Sequence, residues 1–221
     1  MFRYLTIFLA VIALFLPIFL LAQAQTTQII LTWQADSYTE SAYRGKIWPA
    51  PGSLVTAAAQ LIDGDKPVSL APYRVSWFLD NRFLERGNGL DSIKFNASAI
   101  MPGGSHRLKI VVLDYKGADL QKIITIPIAR PEVVIRNPYR NGVMPGKYQF
   151  SALFYNWNIR NLDNLLINWS APGRTPISGE DKVEIEIPIN FSGQSVAIGV
   201  AAVNPANDYE QANAKVNILI K

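Results

Sequence analysis

The sequence predicts an all-β chain of two similar β-sandwiches behind a short apolar leader, and three observations carry that prediction. From Gln25 onward the apolar residues recur with period two, and β-branched and aromatic types dominate them. Turn signals punctuate the chain at short intervals, among them Asp63-Gly64-Asp65, Arg86-Gly87-Asn88-Gly89, Pro102-Gly103-Gly104, Asn141-Gly142 and Pro172-Gly173. The first half is also echoed by the second: two Trp-bearing segments, 73–79 and 165–170, place Trp77 and Trp169 92 positions apart.

The leader comes first. Met1-Phe2-Arg3-Tyr4 is a short basic start, 5–21 is an uncharged apolar run interrupted only by Pro17, and Ala22-Gln23-Ala24 has the small-x-small form of a signal-peptidase site. Residues 1–24 are therefore expected to be a signal peptide cleaved after Ala24. An uncleaved anchor is the competing reading, because a run of about 17 apolar residues is near the lower limit for spanning a bilayer. Both readings export the remainder to the cell envelope or beyond.

Strands are expected at 28–35, 53–62, 73–79, 92–97, 107–113 and 120–128, and again at 132–136, 147–154, 165–169, 182–187, 195–203 and 212–220. No stretch of twelve residues carries a helical period. The two series align well: the 107–113 segment, Arg-Leu-Lys-Ile-Val-Val-Leu, matches 195–201 at an offset of 88. A repeat of this size built from short strands is that of an immunoglobulin-like sandwich, whose central strand carries a Trp between the two sheets. Trp77 and Trp169 are thus expected as structural core, in domains spanning 25–130 and 131–221. The joint at Ala129-Arg130-Pro131 is short and Pro-stiffened, which favours a stiff tandem rod.

A family resemblance rests on particular residues. Tyr73-x-Val75-x-Trp77-x-Leu79-Asp80-Asn81, a Gly-Asn-Gly turn, and Gly104-Ser105-His106-x-Leu108-x-Ile110-x-Val112-x-Asp114 resemble the pattern of bacterial immunoglobulin-like and polycystic-kidney-disease (PKD) domains. The Gly-Asp-Gly that follows the Trp strand in that family is missing. The segments 31–38, 43–46 and 49–53, with Phe154-Tyr155-Asn156-Trp157 in the second half, are similar to uncharacterised exported proteins of candidate-phylum bacteria such as Parcubacteria. These resemblances imply tandem immunoglobulin-like folds at the cell envelope and bring no activity with them.

Composition narrows the chemistry. The 221 residues include no Cys, so cysteine-based metal centres, disulfide scaffolds, a cysteine nucleophile and lipid attachment at Cys are all excluded. The net charge is +4 and falls to +3 without Arg3; along the sequence it is dispersed, so no nucleic-acid partner is signalled. His106 is the single His, hence no imidazole cluster can hold zinc, and any Ser-His-Asp triad would have to use it. Following Pro-Gly-Gly-Ser at a strand start, it is expected as a solvated turn residue. No nucleophile elbow, phosphate loop or dinucleotide fingerprint occurs, so neither catalysis nor a cofactor is expected. Glu184 and Glu186 alternate with apolar residues and belong on an outer strand face. Asp63 and Asp65 frame a Gly turn and are the first residues to consider for calcium, but lack the spacing of a ligand loop, so no metal is expected.

The aromatics outside the Trp strands are the remaining candidates for a binding surface. Trp48, on a Pro-flanked loop, with Tyr43 and Tyr38 nearby, supplies planar side chains that could stack on sugar rings or anchor a protein partner. The expected function is a non-enzymatic envelope spacer or protein-interaction and adhesion platform; the alternative is binding of a cell-wall or surface glycan through these aromatics. Edge-strand addition at 28–35 or 212–220 is a variant of the first.

Overall fold

The computed structural model describes residues 27–98, 103–172 and 177–221. The leader and its cleavage point, and Pro102 and Gly173 of two expected turns, lie outside the described residues.

The first half consists of β1 (Thr27–Ala35), β2 (Tyr38–Thr39), β3 (Leu54–Asp63), β4 (Lys66–Val68), β5 (Arg74–Leu79), β6 (Arg82–Asn88), β7 (Ser92–Asn96), β8 (Ser105–Tyr115) and β9 (Ala118–Pro127). The second consists of β10 (Glu132–Arg136), β11 (Gly146–Trp157), β12 (Leu166–Ser170), β13 (Ile177–Ser178), β14 (Lys182–Ile187), β15 (Ser195–Val203) and β16 (Gln211–Leu219), with single 3-10 turns at Leu162–Asn164 and Ile189–Phe191. All strand pairings between these elements are antiparallel.

Two sandwiches result, each of two four-stranded sheets. In the first, β1 pairs with one edge of β3, while β7 and β4 share the other; the facing sheet runs β6-β5-β8-β9. In the second, β10 and β14 flank β11 in the same way, and the facing sheet runs β13-β12-β15-β16. The chain is therefore all-β, with two immunoglobulin-like sandwiches in tandem. One core runs from Ile29 to Ile128 and the other from Val133 to Ile220.

Period-two burial explains why these segments are strands. In β8, His106, Leu108, Ile110 and Val112 point inward and are buried, while Arg107, Lys109 and Val111 point outward. Trp77 and Trp169 fill equivalent places and are fully buried. Their indole N–H groups donate to Leu90 O (2.9 Å) and Glu180 O (3.1 Å), each carbonyl two residues ahead of β7 or β14. The donor of each large ring is thereby satisfied inside its core.

The expected long strands lie within three residues of their observed ends, whereas β2, β4, β6 and β13 were not expected. The stretch Arg86-Gly87-Asn88, read as part of a turn, continues β6, and the reversal falls at Gly89, whose φ is 65°. A tight hairpin at Asp80-Asn81, with φ of 50° and 66°, joins β5 to β6.

Candidate functional site

Between β1 and β3 the chain leaves the first sandwich for residues 36–53, a strap held at its base from within. Asp36 Oδ1 accepts Leu54 N–H (2.7 Å), the buried Ser37 hydroxyl accepts Ala50 N–H (2.8 Å), and Ser53 Oγ donates to Ala50 O (2.9 Å). Just past that base, on the outgoing limb, β2 joins the second sandwich. Tyr155 pairs with Glu132 of β10 on one side and with Thr39 of β2 on the other, so β2 occupies the β11 edge just past the end of β14. Glu40 N–H donates to Phe154 O (3.1 Å), Phe154 N–H to Glu40 Oε1 (3.2 Å) and Asn156 N–H to Thr39 Oγ1 (3.3 Å).

The strap carries the three candidate aromatics, each engaged differently. Tyr38 is half-buried against the second core. Tyr43, 41% exposed, meets Tyr155 edge-on at 5.8 Å. Trp48, 37% exposed, packs on Trp33 of β1 at 5.7 Å, and the Lys46 ammonium lies 3.4 Å from the Trp33 ring centre. The returning limb is tied down as well: Pro49 O accepts Ala129 N–H (2.9 Å) at the joint, and Pro51 O accepts the Asn207 side-chain N–H (3.1 Å). Gly52, with φ of 87°, lets the limb pass the second sandwich; a Cβ there would sit 2.8 Å from Asn158 Nδ2.

Beside this contact lies a cleft of about 700 Å³, lined by Asp36, Leu54 and Asn96 from the first sandwich and by Asn158, Arg160, Asp163 and Asn204 from the second. Its second wall is organised by Glu210, which is fully buried and accepts Asn158 N–H (2.5 Å) and Asn204 Nδ2–H (2.6 Å). Burial pushes the Glu210 carboxyl above its ordinary range, against the opposing pull of the two hydrogen bonds.

His106 corrects the sequence reading: it is 1% exposed, not solvated. Its Nε2 accepts Ser98 N–H (3.1 Å) with Ser98 Oγ at 3.2 Å, and its Nδ1 lies 2.6 Å from Asp80 Oδ2. Asp80 Oδ1 also accepts Arg107 N–H (2.8 Å). Ser, His and Asp are thus in sequence-distant contact, but the Ser98 backbone N–H already occupies the Nε2 lone pair that a nucleophilic serine would need. The arrangement ties the β5–β6 hairpin to the ends of β7 and β8. Burial raises the Asp80 carboxyl, yet the Arg107 N–H and the His106 contact outweigh it and hold the group below its ordinary value.

Asp63 of the calcium candidates is engaged by Thr27 Oγ1 (2.6 Å) and Lys116 Nζ (2.6 Å). Among the described residues no group of three or more His, Asp or Glu is arranged to hold a metal ion, and no helix is long and apolar enough to cross a membrane. Glu184 and Glu186 are on the outer face of β14, Glu184 lying 3.7 Å from Lys147.

Comparison with known proteins assigns the chain to no family. No family model matches the sequence, and no curated protein matches it. Similar solved structures include the three N-terminal domains of the bacteriophage RB49 outer capsid protein Hoc (11% identity, TM-score 0.45, 88% of this chain and 59% of that one). The fibronectin(III)-like modules of Clostridium thermocellum CbhA align at 15% identity and TM-score 0.31, over 86% of this chain and 94% of theirs. An amphioxus IgVJ-C2 molecule aligns at 11% identity and TM-score 0.31, over 78% and 98%. This chain spans 59% of the Hoc fragment. None of these bears on the likeness to exported proteins of candidate-phylum bacteria.

Proposed function

We propose that the chain is an exported, non-enzymatic protein of the cell envelope whose two immunoglobulin-like modules form a stiff spacer and interaction platform. The strap is the observation that supports this reading. A freely jointed tandem needs only its linker, whereas here a segment of the first sandwich supplies a strand to the second, and the linker itself is clamped by Pro49. The covalent linker and, separately, the strap hydrogen-bonded to β11 both connect the modules, and together they resist bending about the 128–131 joint, which is what a spacer requires. Tyr38, Tyr43 and Trp48 lie on the strap, so a partner protein anchored on them would grip the joint rather than either module alone. The residues nearest to a catalytic constellation, Ser98, His106 and Asp80, are committed to one another and to backbone.

Two measurements test the proposal. N-terminal sequencing of the protein from the envelope fraction of an expressing bacterium is expected to begin at Gln25; an intact Met1 start in the cytoplasmic fraction would overturn export. Small-angle scattering of residues 25–221 is expected to fit one rigid shape at all concentrations. A profile requiring an ensemble of inter-module angles would overturn the spacer.

A further inference from the structure

The outward face of the β6-β5-β8-β9 sheet gathers charge that the sequence disperses. Strand alternation and register bring Arg74 of β5, Arg86 of β6, and Arg107 and Lys109 of β8 to this one face. Across its middle run Phe83, Phe78, Lys109 and Ile123 in one cross-strand row. Phe83 is 57% and Ile123 42% exposed, large values for apolar side chains on a sheet. Phe78 and Phe83 meet edge-on at 5.9 Å, with Lys109 Nζ 4.4 Å from the Phe78 ring centre and the Arg86 guanidinium 5.8 Å from that of Phe83. Among the described residues none of these four cations is in a salt bridge. Four positive charges therefore share one face in a chain whose whole net charge is +4.

We propose that this face binds an acidic polysaccharide. A polymer of acidic sugars meets both features along one line: its rings present C–H surfaces to Phe83 and Phe78, and its carboxylate or sulfate groups meet Lys109, Arg107 and Arg86. Cations held against aromatic rings are already positioned, and the Arg86 Nε–H is further fixed on Ser76 Oγ (2.8 Å). The anionic character of the ligand follows from the face alone. The choice of polysaccharide over nucleic acid rests on the proposed export, which N-terminal sequencing tests separately.

The experiment is affinity electrophoresis and calorimetry of residues 25–221 with polygalacturonate, neutral galactan and single-stranded poly-dT as probes. Polygalacturonate is expected to bind, and its affinity to fall about tenfold or more between 50 and 500 mM salt as surface charges are screened. Neutral galactan is expected not to bind. The double variant R107E/K109E is expected to lose at least tenfold and Phe83→Ala at least threefold, with unchanged thermal melting. Lys215→Glu, on the other sandwich, is expected to bind as the parent does. Unchanged polygalacturonate binding by R107E/K109E, equal binding of neutral galactan, or tighter binding of poly-dT would each overturn the proposal.

Discussion

The two sandwiches solve one problem in different ways. In both, the long second strand of the first sheet, β3 or β11, has an edge that β7 or β14 covers over only part of its length. The first sandwich closes the rest with its own chain: Gly64, at φ of 62°, turns β3 back into β4, which pairs with residues 61–63. The second has no such hairpin, because after Trp157 the chain moves through Leu162–Asn164 directly into β12. Its open edge is instead covered by β2, delivered from the first sandwich. One module is self-sufficient at this edge and the other is completed by its neighbour. Exposed strand edges invite unwanted pairing, so covering this one protects the second sandwich while joining the two.

The variants with the largest expected effects establish the common plan before the difference is probed. Trp77→Ala and Trp169→Ala each remove a fully buried ring and are expected to cost about 3–5 kcal/mol, in the first and second sandwich respectively. Chemical denaturation followed by amide signals from each half would check this. Comparable losses are expected, since both indoles fill the same place and donate to equivalent carbonyls.

Next, the double variant Thr39→Val with Glu40→Ala removes the side-chain acceptors for Asn156 N–H and Phe154 N–H. The expected loss is about 1–3 kcal/mol, confined to the second sandwich. An equal loss in the first, read by the same denaturation, would contradict one-way dependence. Gly52→Ala is expected to cost about 1–2 kcal/mol and to loosen the joint, because alanine is strained at this φ and its methyl meets Asn158.

The smallest effects concern pH, and the two halves respond with opposite sign. Asp80 is held below its ordinary value of 3.8 in the fold, so its contribution is complete above that value and is lost as pH falls through the folded-state value. Glu210 is raised above 4.5, so the second sandwich is most favoured below that value and loses stability as pH rises through the raised one. Acidification is therefore expected to weaken the first sandwich relative to the second. Asp80→Asn is expected to flatten the acid response of the first half in thermal melts taken from pH 3 to 7.

Much of this architecture was legible because burial on one face of a strand leaves a period-two trace that sequence preserves. The elements that escaped leave no such trace. β6 is an edge strand with Arg82, Phe83, Glu85 and Arg86 exposed, β4 contains Pro67, and β13 has two residues. β2 also has two, and the residue paired with Thr39 is Tyr155, so nothing local marks it. Trp48, Tyr43 and Tyr38 stood out by composition, but their common membership of a strap became visible only through that pairing. His106 could have been read better: it shares parity with Leu108, Ile110 and Val112, and this outweighs the Pro-Gly-Gly-Ser before it. The basic face was illegible for another reason, since register alone brings together cations on three strands.

The dependence of the second sandwich on the strap is tested most directly by hydrogen exchange at single amides. Glu40 N–H, bonded to Phe154 O, and Asn156 N–H are expected to be protected like β10–β11 amides, and the Thr39→Val, Glu40→Ala variant is expected to speed exchange at Phe154 and Asn156 while leaving Val55 and Ala57 of β3 unchanged. Exchange of the Glu40 amide at the rate of an open loop in the parent protein, or indifference of Phe154 and Asn156 to the variant, would contradict it.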